Sequence, residues 1–517
     1  MHQAPYYNLV DEPWIPILRK DGIPDMTGLA DLFSRSEDIA DLAVRPHERV
    51  ALMRLLLCLC YASGDGGLKK ERIAEDVPAY LQEWKDRFWL YHPECPFLQI
   101  ATLKPAKEEK LTPFSKLDLA LSTGNNSTLF DHVGQKAQMT PASLAVSLLT
   151  TQCFSPGGTN SQVYWQGELT TRYTHSAPCI YKCMLHVFVR GKNLLETLFL
   201  NIVQINDLKR VYSHVGEDWL GRPYWEFIPQ GIGDEKAVKN ATETFMGRLV
   251  PLSRAICLKD TGVLYGEALV YPSFDNGFPA EPTATVYLQK KGKEEKKVLL
   301  ALRPDRAVWR ELPALMGAVR ETLKNDGVRG PVALNILSSQ SETDWVYEII
   351  AAGVAYDSKK TASIIDTMES IDPLRRAMLT EQGQEDYQAG VQAAEYMASR
   401  LASAVSRFRE SLDAGWQQSL SKAAQGKAKL EEKLHRQALL AYWSGVEQRL
   451  ALLFDMASSE TQEEFARLEA EWQIFIRQEA LRAYDLVCGE LSGRHEQAYV
   501  RGRSRLTWKK KNEEVPA

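Results

Sequence analysis

Three features are scarce in this sequence: long apolar runs, paired cysteine motifs and an excess of basic residues. No apolar run reaches the roughly 18 residues that a membrane-spanning helix needs. Residues 1–5 do not combine a basic start with an apolar run, so no secretory signal is expected. We therefore expect a cytoplasmic protein with no membrane partner.

The cysteines and the charge balance exclude two further classes. Eight cysteines are scattered without a disulfide-like spacing, which is typical of a reducing compartment. Lys and Arg number 62 against 67 Asp and Glu, a formal net charge of -5. A chain with this balance does not coat nucleic acid by bulk charge. Any nucleic-acid contact must come from local basic loops, with partner subunits supplying most of the positive field.

Motifs of familiar enzymes are also missing. The sequence contains no G-x-x-x-x-G-K-[ST] loop, no H-E-x-x-H pair and no serine in a nucleophile elbow. The dipeptide Asp131-His132 lacks the further ordered histidines and aspartates of a metal-dependent nuclease. We expect no enzyme activity, no catalytic residue and no cofactor.

One group of residues has a spacing that suggests zinc: His175, Cys179, Cys183 and His186. After Pro178, however, residues 179–189 are predicted to form a strand. Residues four apart in a strand lie about 13 Å from one another, too far to share one ion. In a helix, Cys179 and Cys183 would instead share a face. The strand interpretation predicts no metal site.

What is present predicts an α+β protein of two domains. A chain of 517 residues is too long for one core, and its 44% hydrophobic and 25% charged residues are ordinary for a globular protein. Through about residue 370, helical patterns and strand patterns follow one another without regular alternation, which excludes a doubly wound sheet. The predicted elements are a helix over 44–61, strands over 181–189 and 283–302 with a turn at 290–292, and a helix over 313–324.

The character changes after about residue 375, where proline and β-branched residues become scarce. Apolar residues at three–four spacing predict three long helices, and a fourth is expected over 495–509. Thr461 and Glu464 form a predicted capping box. The apolar stripes are Ala398, Leu401, Val405, Phe408 and Leu412; Trp443, Val446, Leu450 and Leu453; and Phe465, Leu468, Trp472 and Phe475. We predict a mixed α/β domain over 1–372 and an antiparallel four-helix bundle over 373–517.

The opening segment, residues 6–17, cannot be helical because Pro13 and Pro16 lie three residues apart. Apolar residues flank both prolines. We expect an extended segment at a sheet edge, with Trp14 turned inward.

Four short motifs, in this order, carry a resemblance to a known family. They are N-L-x-D-x-P-W-I-P at 8–16, H-P-E-C-P-F-L-Q at 92–99, F-S-P-G-G-T-N at 154–160 and V-R-G-K-N-L at 189–194. Together they resemble CasA, the large subunit of the type I-E CRISPR surveillance complex, Cascade. The similarity runs from the start to about residue 370, and the helical bundle stands in its expected place.

The resemblance implies a non-catalytic subunit of an antiviral complex. In Cascade, CasA recognises the PAM, a short motif beside the target, from the minor groove of double-stranded DNA. It then starts to open the duplex, helps to hold the R-loop and recruits the helicase-nuclease. The implied partners are guide RNA, the other Cascade subunits, target DNA and that helicase-nuclease.

The resemblance assigns PAM recognition to the glycine loop, Gly157, Gly158, Thr159 and Asn160. Glycines lack Cβ atoms, so their backbone can lie close to a groove floor or a phosphate. The minor groove carries a degenerate pattern, which suits tolerance of several PAM sequences. The alternative is a plain turn.

A strand-separating wedge is implied at Lys359, Lys360 and Thr361. Thr361 stands where the family often has glutamine, so the lysines are expected to grip the separated strands. The alternative is a solvated basic turn. The family's lysine finger has no counterpart near 264–268, where Lys259 is the nearest lysine.

Three more segments have implied contacts. They are a basic hairpin facing the incoming duplex (Lys290 and Lys291), a loop docking near the guide RNA or a neighbouring subunit (Phe130, Asp131 and His132) and a basic helix tracking the displaced strand (Arg501, Arg503 and Arg505). Their alternatives are a solvated hairpin, a buried core phenylalanine and a solvated helix end.

Two other functions are kept open. A metal-dependent nuclease or hydrolase would use His132, His92 and nearby carboxylates at an unfamiliar site. A pure scaffold would touch only protein.

Overall fold

The computed structural model describes residues 4–64, 69–106, 111–120, 139–212, 216–272, 281–291, 294–321, 330–331, 333–334, 337, 346–357, 363–413, 421–489 and 495–507. It has two compact units, Met1–Leu374 and Arg375–Ala517. The first mixes helices and small sheets, and the second is helical. Within the described ranges, none of the helices is both long and apolar enough to cross a bilayer.

The strands of the first unit pair into small antiparallel sheets. They are β1 (Tyr6–Asn8), β2 (Ile15–Arg19), β3 (Pro24–Thr27), β4 (Ile39–Leu42), β5 (Trp89–Tyr91), β6 (Lys104–Pro105), β7 (Gly158–Thr159), β8 (Val163–Trp165), β9 (Glu168–Leu169), β10 (Tyr173–Thr174), β11 (Leu185–Arg190), β12 (Arg254–Lys259), β13 (Gly262–Glu267), β14 (Val286–Lys291), β15 (Glu294–Leu299), β16 (Val346–Asp357) and β17 (Ser363–Arg375). The strand orders are β1-β5, β3-β2-β4, β6-β8-β9, β10-β7, β12-β13, β14-β15 and β11-β16-β17.

Several helices of this unit pack against one central helix. They are α1 (Leu29–Ser34), α2 (Pro46–Ser63), α3 (Lys70–Glu83), α4 (Pro141–Phe154), α5 (Leu194–Asn201), α6 (Ile205–Tyr212), α7 (Glu235–Glu243), α8 (Phe245–Leu249) and α9 (Leu312–Glu321). Helix α2 packs against α3, α4, α5, α8 and β16, and its residues from Val50 to Tyr61 are all buried. The predicted helix is confirmed, with Pro46 at its first position, where no N–H is needed. It is buried on every side rather than along one stripe.

The opening segment is extended, as predicted, and Trp14 is fully buried with its indole Nε1 donating to Leu9 O at 2.9 Å. The prediction of a sheet edge is wrong, because β2 is the central strand of its sheet. Pro16 is tolerated there because it lies beyond the last residue pair of β2 and β4. Ala43 N–H donates to Pro16 O, and only the return bond is lost.

Two other strand predictions need correction. The predicted strand over 179–189 begins only at Leu185, because Pro178 starts a 3-10 turn, Pro178–Cys183, and Lys182 and Cys183 both have positive φ. In the predicted hairpin, Lys290 and Lys291 belong to strand β14 rather than to the turn, because Lys290 pairs with Glu295 and Lys291 with Glu294.

The second unit consists of long helices, as the apolar stripes predict. They are α10 (Glu381–Asp413), α11 (Ser421–Glu447), α12 (Leu450–Met456), α13 (Gln462–Cys488) and α14 (Glu496–Thr507). Helix α10 packs against α11, α13 and α14. Trp472 is fully buried and its indole donates to Gly390 O at 2.9 Å, which joins α13 to α10.

Two details of this unit differ from the prediction. The stripe from Trp443 to Leu453 does not lie on one helix, because α11 ends at Glu447 and α12 starts at Leu450. The capping box is half formed: Thr461 Oγ1 accepts from Glu464 N–H at 3.2 Å, but the Glu464 carboxylate accepts from Glu460 N–H rather than from Thr461.

Candidate nucleic-acid interface

The glycine loop, Gly157–Asn160, follows directly after helix α4 and contains strand β7. Strand β7 pairs antiparallel with β10, so Thr159 lies opposite Tyr173 and Gly158 lies opposite Thr174. Residues directly opposite each other present their side chains on the same face. Thr159 and Tyr173 are exposed, whereas Thr174 is buried, so one face of this strand pair meets solvent.

The two glycines have different physical roles. A Cβ atom on Gly157 would lie 2.8 Å from Thr174 O and 2.9 Å from Ser176 N, so this glycine is required by the protein's own backbone. Gly158 has φ +141°, and a Cβ built there meets nothing within 4 Å. The Cβ position of Gly158 therefore faces open space, although its carbonyl accepts from Thr174 Oγ1 at 3.0 Å, while the space at Gly157 is already filled.

The polar groups of Asn160 form hydrogen bonds within the protein. Its backbone N–H donates to Arg172 O at 2.9 Å, and its Nδ2 donates to Thr174 Oγ1 at 2.7 Å. These bonds fasten the end of the glycine loop to the segment around β10. Of the four predicted loop residues, Gly158 and Thr159 offer the accessible groups.

Arg254, which the sequence interpretation missed, fastens the loop from beneath. Its guanidinium is buried and donates to the carbonyl oxygens of Ser155 at 3.1 Å, Pro156 at 3.2 Å and His175 at 2.6 Å. It also donates to Ser253 O and to the Tyr265 hydroxyl. None of its hydrogen bonds within the described ranges goes to a carboxylate. Glu267 lies directly opposite Arg254 on the paired strand β13, so a negative charge accompanies this cation beneath the loop.

Glu267 fastens the neighbouring segment, residues 171–175. This buried carboxylate accepts from the backbone N–H of His175 at 2.6 Å, from its ring Nδ1 at 2.8 Å and from the hydroxyl of Thr171. Burial by itself would raise the pKa of Glu267, but the hydrogen bonds from Thr171 and His175 outweigh it and lower the pKa. The carboxylate is thus ionised at neutral pH and holds both ends of the segment.

Two groups of predicted contact residues lie outside what the structure describes. These are Phe130, Asp131 and His132 in the docking loop, and Lys359, Lys360 and Thr361 in the wedge. Lys290 and Lys291 lie in β14, opposite Glu295 and Glu294. Each lysine is thus placed beside an acidic residue of β15.

The strands that flank the wedge segment are anchored by an ion-pair network. Arg49 on α2 pairs with Asp41 on β4 and with Glu369 on β17, the latter at 2.6 Å. Arg190 on β11 pairs with the same Asp41 at 3.1 Å and with Glu348 on β16. Both strands of the β16–β17 hairpin are therefore tied to the body of the first unit.

The basic helix α14 offers fewer free cations than predicted. Arg503 forms a bidentate pair with Asp485, at 2.8 Å and 3.0 Å, and these hydrogen bonds raise the pKa of Arg503. The guanidinium of Arg503 is thus already paired with Asp485 within the protein. Arg501 and Arg505 are exposed and lie four residues apart, on one helix face.

The zinc-like spacing at 175–186 does not converge on one point. His175 faces Glu267, Cys183 lies against the backbone of Tyr356, and buried His186 contacts Thr283 Oγ1 at 2.7 Å and Cys179 O at 2.9 Å. Burial lowers the pKa of His186 to about 4. Within the residues that the structure covers, no three metal-ligating side chains gather at one place.

The CRISPR-associated protein Cse1 family model matches residues 8–483. The chain belongs to the Cse1 family. A CasA/Cse1 protein of Thermus thermophilus is 28% identical over 432 residues, covering 76% of this chain and 76% of that protein. Family membership confirms the resemblance that the four sequence motifs indicated.

Solved structures show that this Cse1 chain shares its fold with relatives. The crystal structure of CasA from Thermus thermophilus has a TM-score of 0.75 at 22% identity, covering 97% of this chain and 98% of that chain. Cse1 from Acidimicrobium ferrooxidans has a TM-score of 0.71 at 20% identity, covering 97% of both chains. A chain in a structure described as a CRISPR RNA-guided surveillance complex has a TM-score of 0.68 at 19% identity, covering 98% of this chain and 100% of that chain. These similarities confirm the predicted fold class.

The exposed groups around the glycine loop of this Cse1 chain suit binding rather than bond breaking. They are a hydroxyl at Thr159, a phenol at Tyr173 and a guanidinium at Arg172, beside the open Cβ position of Gly158. Arg172 and Tyr173 were missed in the sequence interpretation. The adjacent arginine and tyrosine in T-T-R-Y-T-H were the available signal.

Proposed function

We propose that this chain is the non-catalytic large subunit of a type I-E CRISPR Cascade complex. In this role it recognises the PAM of double-stranded DNA through the minor groove, helps to unwind the target, stabilises the R-loop and recruits the helicase-nuclease for antiviral defence. The observation that carries the proposal is the match to the Cse1 family over residues 8–483. A similar fold in a structure described as a CRISPR RNA-guided surveillance complex supports it.

The proposal includes guide RNA, the other Cascade subunits, target DNA and the helicase-nuclease as partners, and a cytoplasmic location. It includes a division of labour, in which residues 1–372 recognise the PAM and dock into the complex and residues 373–517 form the bundle. Phe130, Asp131 and His132 would dock near the guide RNA, and Arg501 and Arg505 would follow the displaced strand.

The glycine loop supports minor-groove recognition on physical grounds. The Cβ position of Gly158 faces open space, so a ligand can approach closely there, and the Arg254 and Glu267 bonds hold the surrounding segments in place before any ligand arrives. A site that is ordered in advance loses little conformational entropy on binding. The degenerate minor-groove pattern requires few specific contacts.

The wedge remains part of the proposal, with Lys359, Lys360 and Thr361 between the two anchored strands β16 and β17. The RNA–DNA hybrid that forms is about as stable as the duplex it replaces. The protein therefore has to lower only the cost of the first melted steps, on the order of a few kcal/mol. The ion pairs of Arg49 with Glu369 and of Arg190 with Glu348 would hold both strands in place while the wedge separates the first base pairs.

The test changes the charge of the glycine loop without changing its backbone. Thr159→Glu places a carboxylate at an exposed position of β7, and Thr102→Glu makes the same change at an exposed threonine outside the loop. In the assembled complex with guide RNA, we expect Thr159→Glu to weaken binding to a PAM-bearing duplex by about ten-fold or more, since like charges facing each other are costly. Thr102→Glu should bind normally.

Thr159→Lys gives the opposite charge at the same place and should bind at least as tightly as the unmodified protein. Equal binding by both Thr159 variants would refute a glycine loop that faces DNA phosphates.

The alternative of a metal-dependent nuclease has its own test. Pure protein is incubated with DNA and Mg²⁺ or Mn²⁺, and cleavage that His132→Ala abolishes would favour it. His92, the other histidine of that hypothesis, has Nδ1 accepting from the N–H groups of Cys95 at 2.9 Å and Glu94 at 3.1 Å, which closes a local turn.

A further inference from the structure

Tyr173 is the most exposed of the large apolar or aromatic side chains in the described part of the chain, at 75%. Its ring and hydroxyl contact no partner there. Burying such a ring is favourable in water, so this tyrosine has free energy to gain from a contact that forms on binding. The question is which ligand offers a matching surface.

The position of Tyr173 places its ring beside the glycine loop. It lies directly opposite Thr159 on the paired strand, so its Cβ is about 5 Å from that of Thr159 and on the same solvent-facing side. A ligand that reaches the glycine loop therefore also reaches the ring. Arg172, its exposed neighbour, adds a cation with no acidic partner among the residues that are described.

The backbone beneath the ring is fixed before binding. Thr171 Oγ1 donates to Tyr173 O at 2.8 Å, Asn160 N–H donates to Arg172 O, and the Arg254 guanidinium donates to His175 O. A tyrosine has only two side-chain torsions to order, so little entropy is lost when its ring makes contact. The arrangement presents a rigid aromatic face beside a cation.

We propose that Tyr173 stacks on a nucleobase that becomes unpaired beside the PAM, while Arg172 neutralises a neighbouring phosphate. The proposal rests on the proposed function, which places the glycine loop at the PAM. Base faces are covered inside an intact duplex, so a stacking ring takes a base only after the first pair has opened. Stacking is tolerant of sequence because every base has a π-face.

The experiment compares two target duplexes in the complex assembled with guide RNA. One carries mismatches that keep the first pairs beside the PAM open, and the other carries an interstrand crosslink that keeps them closed. We expect Tyr173→Ala to weaken binding to the open duplex by about ten-fold, the effect of one lost stacking contact. Binding to the closed duplex should not change. Tyr173→Phe and Tyr173→Trp keep the aromatic face and should bind the open duplex normally.

Tyr396→Ala is the matched control, since it removes another exposed tyrosine, 49% accessible, from the second unit. It should bind both duplexes normally. A 2-aminopurine base at the first open position reports stacking directly, and its fluorescence should be quenched by the unmodified protein but not by Tyr173→Ala.

Salt dependence separates the two residues. Arg172→Ala should lower the slope of log affinity against log salt by about 0.9, the value for one phosphate contact, whereas Tyr173→Ala should leave the slope unchanged. An unchanged slope in Arg172→Ala would overturn the phosphate contact.

The outcomes also separate this inference from the proposed function. If Thr159→Glu weakens binding and Tyr173→Ala does not, stacking is wrong and the glycine loop still contacts DNA. An equal loss on the open and closed duplexes would place the ring in the groove and would also overturn stacking. If neither variant weakens binding, both proposals fail.

Discussion

At the scale of single residues, buried charged groups set the shape of the candidate site. Arg254 and Glu267 lie opposite each other in the β12–β13 hairpin. Both form hydrogen bonds to segments from other parts of the chain. The carbonyl partners of Arg254 at Ser155 and His175 are 99 and 79 positions away. Each of these carbonyls would lose a hydrogen bond if the guanidinium were removed, and Ser155 O would keep only the one from Ala177 N–H.

Arg254→Met tests this role, since methionine fills part of the space without donating. We expect it to lower the free energy of unfolding of the first unit by about 2–4 kcal/mol, because buried polar groups left without partners are costly. Chemical denaturation measures the change. Arg222→Met, at an exposed arginine, should be within about 0.5 kcal/mol of the unmodified protein.

Glu267 predicts a pH dependence of stability. The folded pKa is lower than the usual 4.5, so the unfolded chain binds a proton more readily. The stabilisation is therefore fully present above the unfolded pKa and is lost as pH falls through the folded pKa. Glu267→Gln removes this contribution, so its loss of stability between neutral pH and acid should be smaller than that of the unmodified protein.

Denaturation at a series of pH values from neutral to acid measures the difference. Glu168→Gln, at an exposed glutamate of β9, is the control and should keep the original acid dependence. An identical acid dependence in Glu267→Gln would contradict the role assigned to this carboxylate.

At the scale of elements, the β16–β17 hairpin combines long strands with an anchored base. Strands of 12 and 13 residues are long for a protein with many short strands. The pairs of Arg49 with Glu369 and of Arg190 with Glu348 join both strands to elements from earlier in the chain. An anchored pair of strands would be a suitable support for the proposed wedge.

The double variant Lys359→Ala/Lys360→Ala tests the wedge. We expect slower R-loop formation with normal assembly of the complex, because two phosphate-binding cations are lost while the anchoring network is intact. A stopped-flow measurement of strand separation gives the rate. Lys236→Ala/Lys239→Ala removes the same charge from the exposed face of α7 and should open DNA normally. Normal opening by the first double variant would contradict the wedge assignment.

At the scale of the whole molecule, the chain has two compact units with separate cores. The first is built around α2, and the second around residues such as Trp472 and Tyr442, whose polar atoms bond to backbone carbonyls of α10. Units with separate cores are expected to lose stability separately.

Trp472→Ala tests this expectation. Removing a fully buried tryptophan typically costs about 3–5 kcal/mol, and here the loss should fall on the second unit. Calorimetry should show one unfolding transition at lower temperature and the other unchanged. Trp443→Ala, at a half-buried tryptophan on α11, should give a smaller shift in the same transition. A single transition that moves as a whole would refute separate unfolding.

Much of the fold was predictable because it depends on local patterns. Helix α2 and the bundle helices follow from apolar spacing and proline position, and Trp14 was correctly predicted to be buried. The errors occurred where packing overrides a local preference. Pro16 lies in a central strand because only one hydrogen bond at the end of a ladder is lost, and α11 ends inside a continuous apolar stripe.

The sequence by itself determined the family and the fold class, because short motifs in a fixed order and regular apolar spacing are properties of neighbouring residues. It also located the glycine loop. Only the tertiary structure decided which glycine has open space at its Cβ position, that Arg503 is already paired, and that buried Arg254 and Glu267 hold the segments that carry Thr159 and Tyr173. The physical reason is distance along the chain: the atoms that fill a glycine's space or neutralise a charge come from segments many positions away, and only packing brings them together.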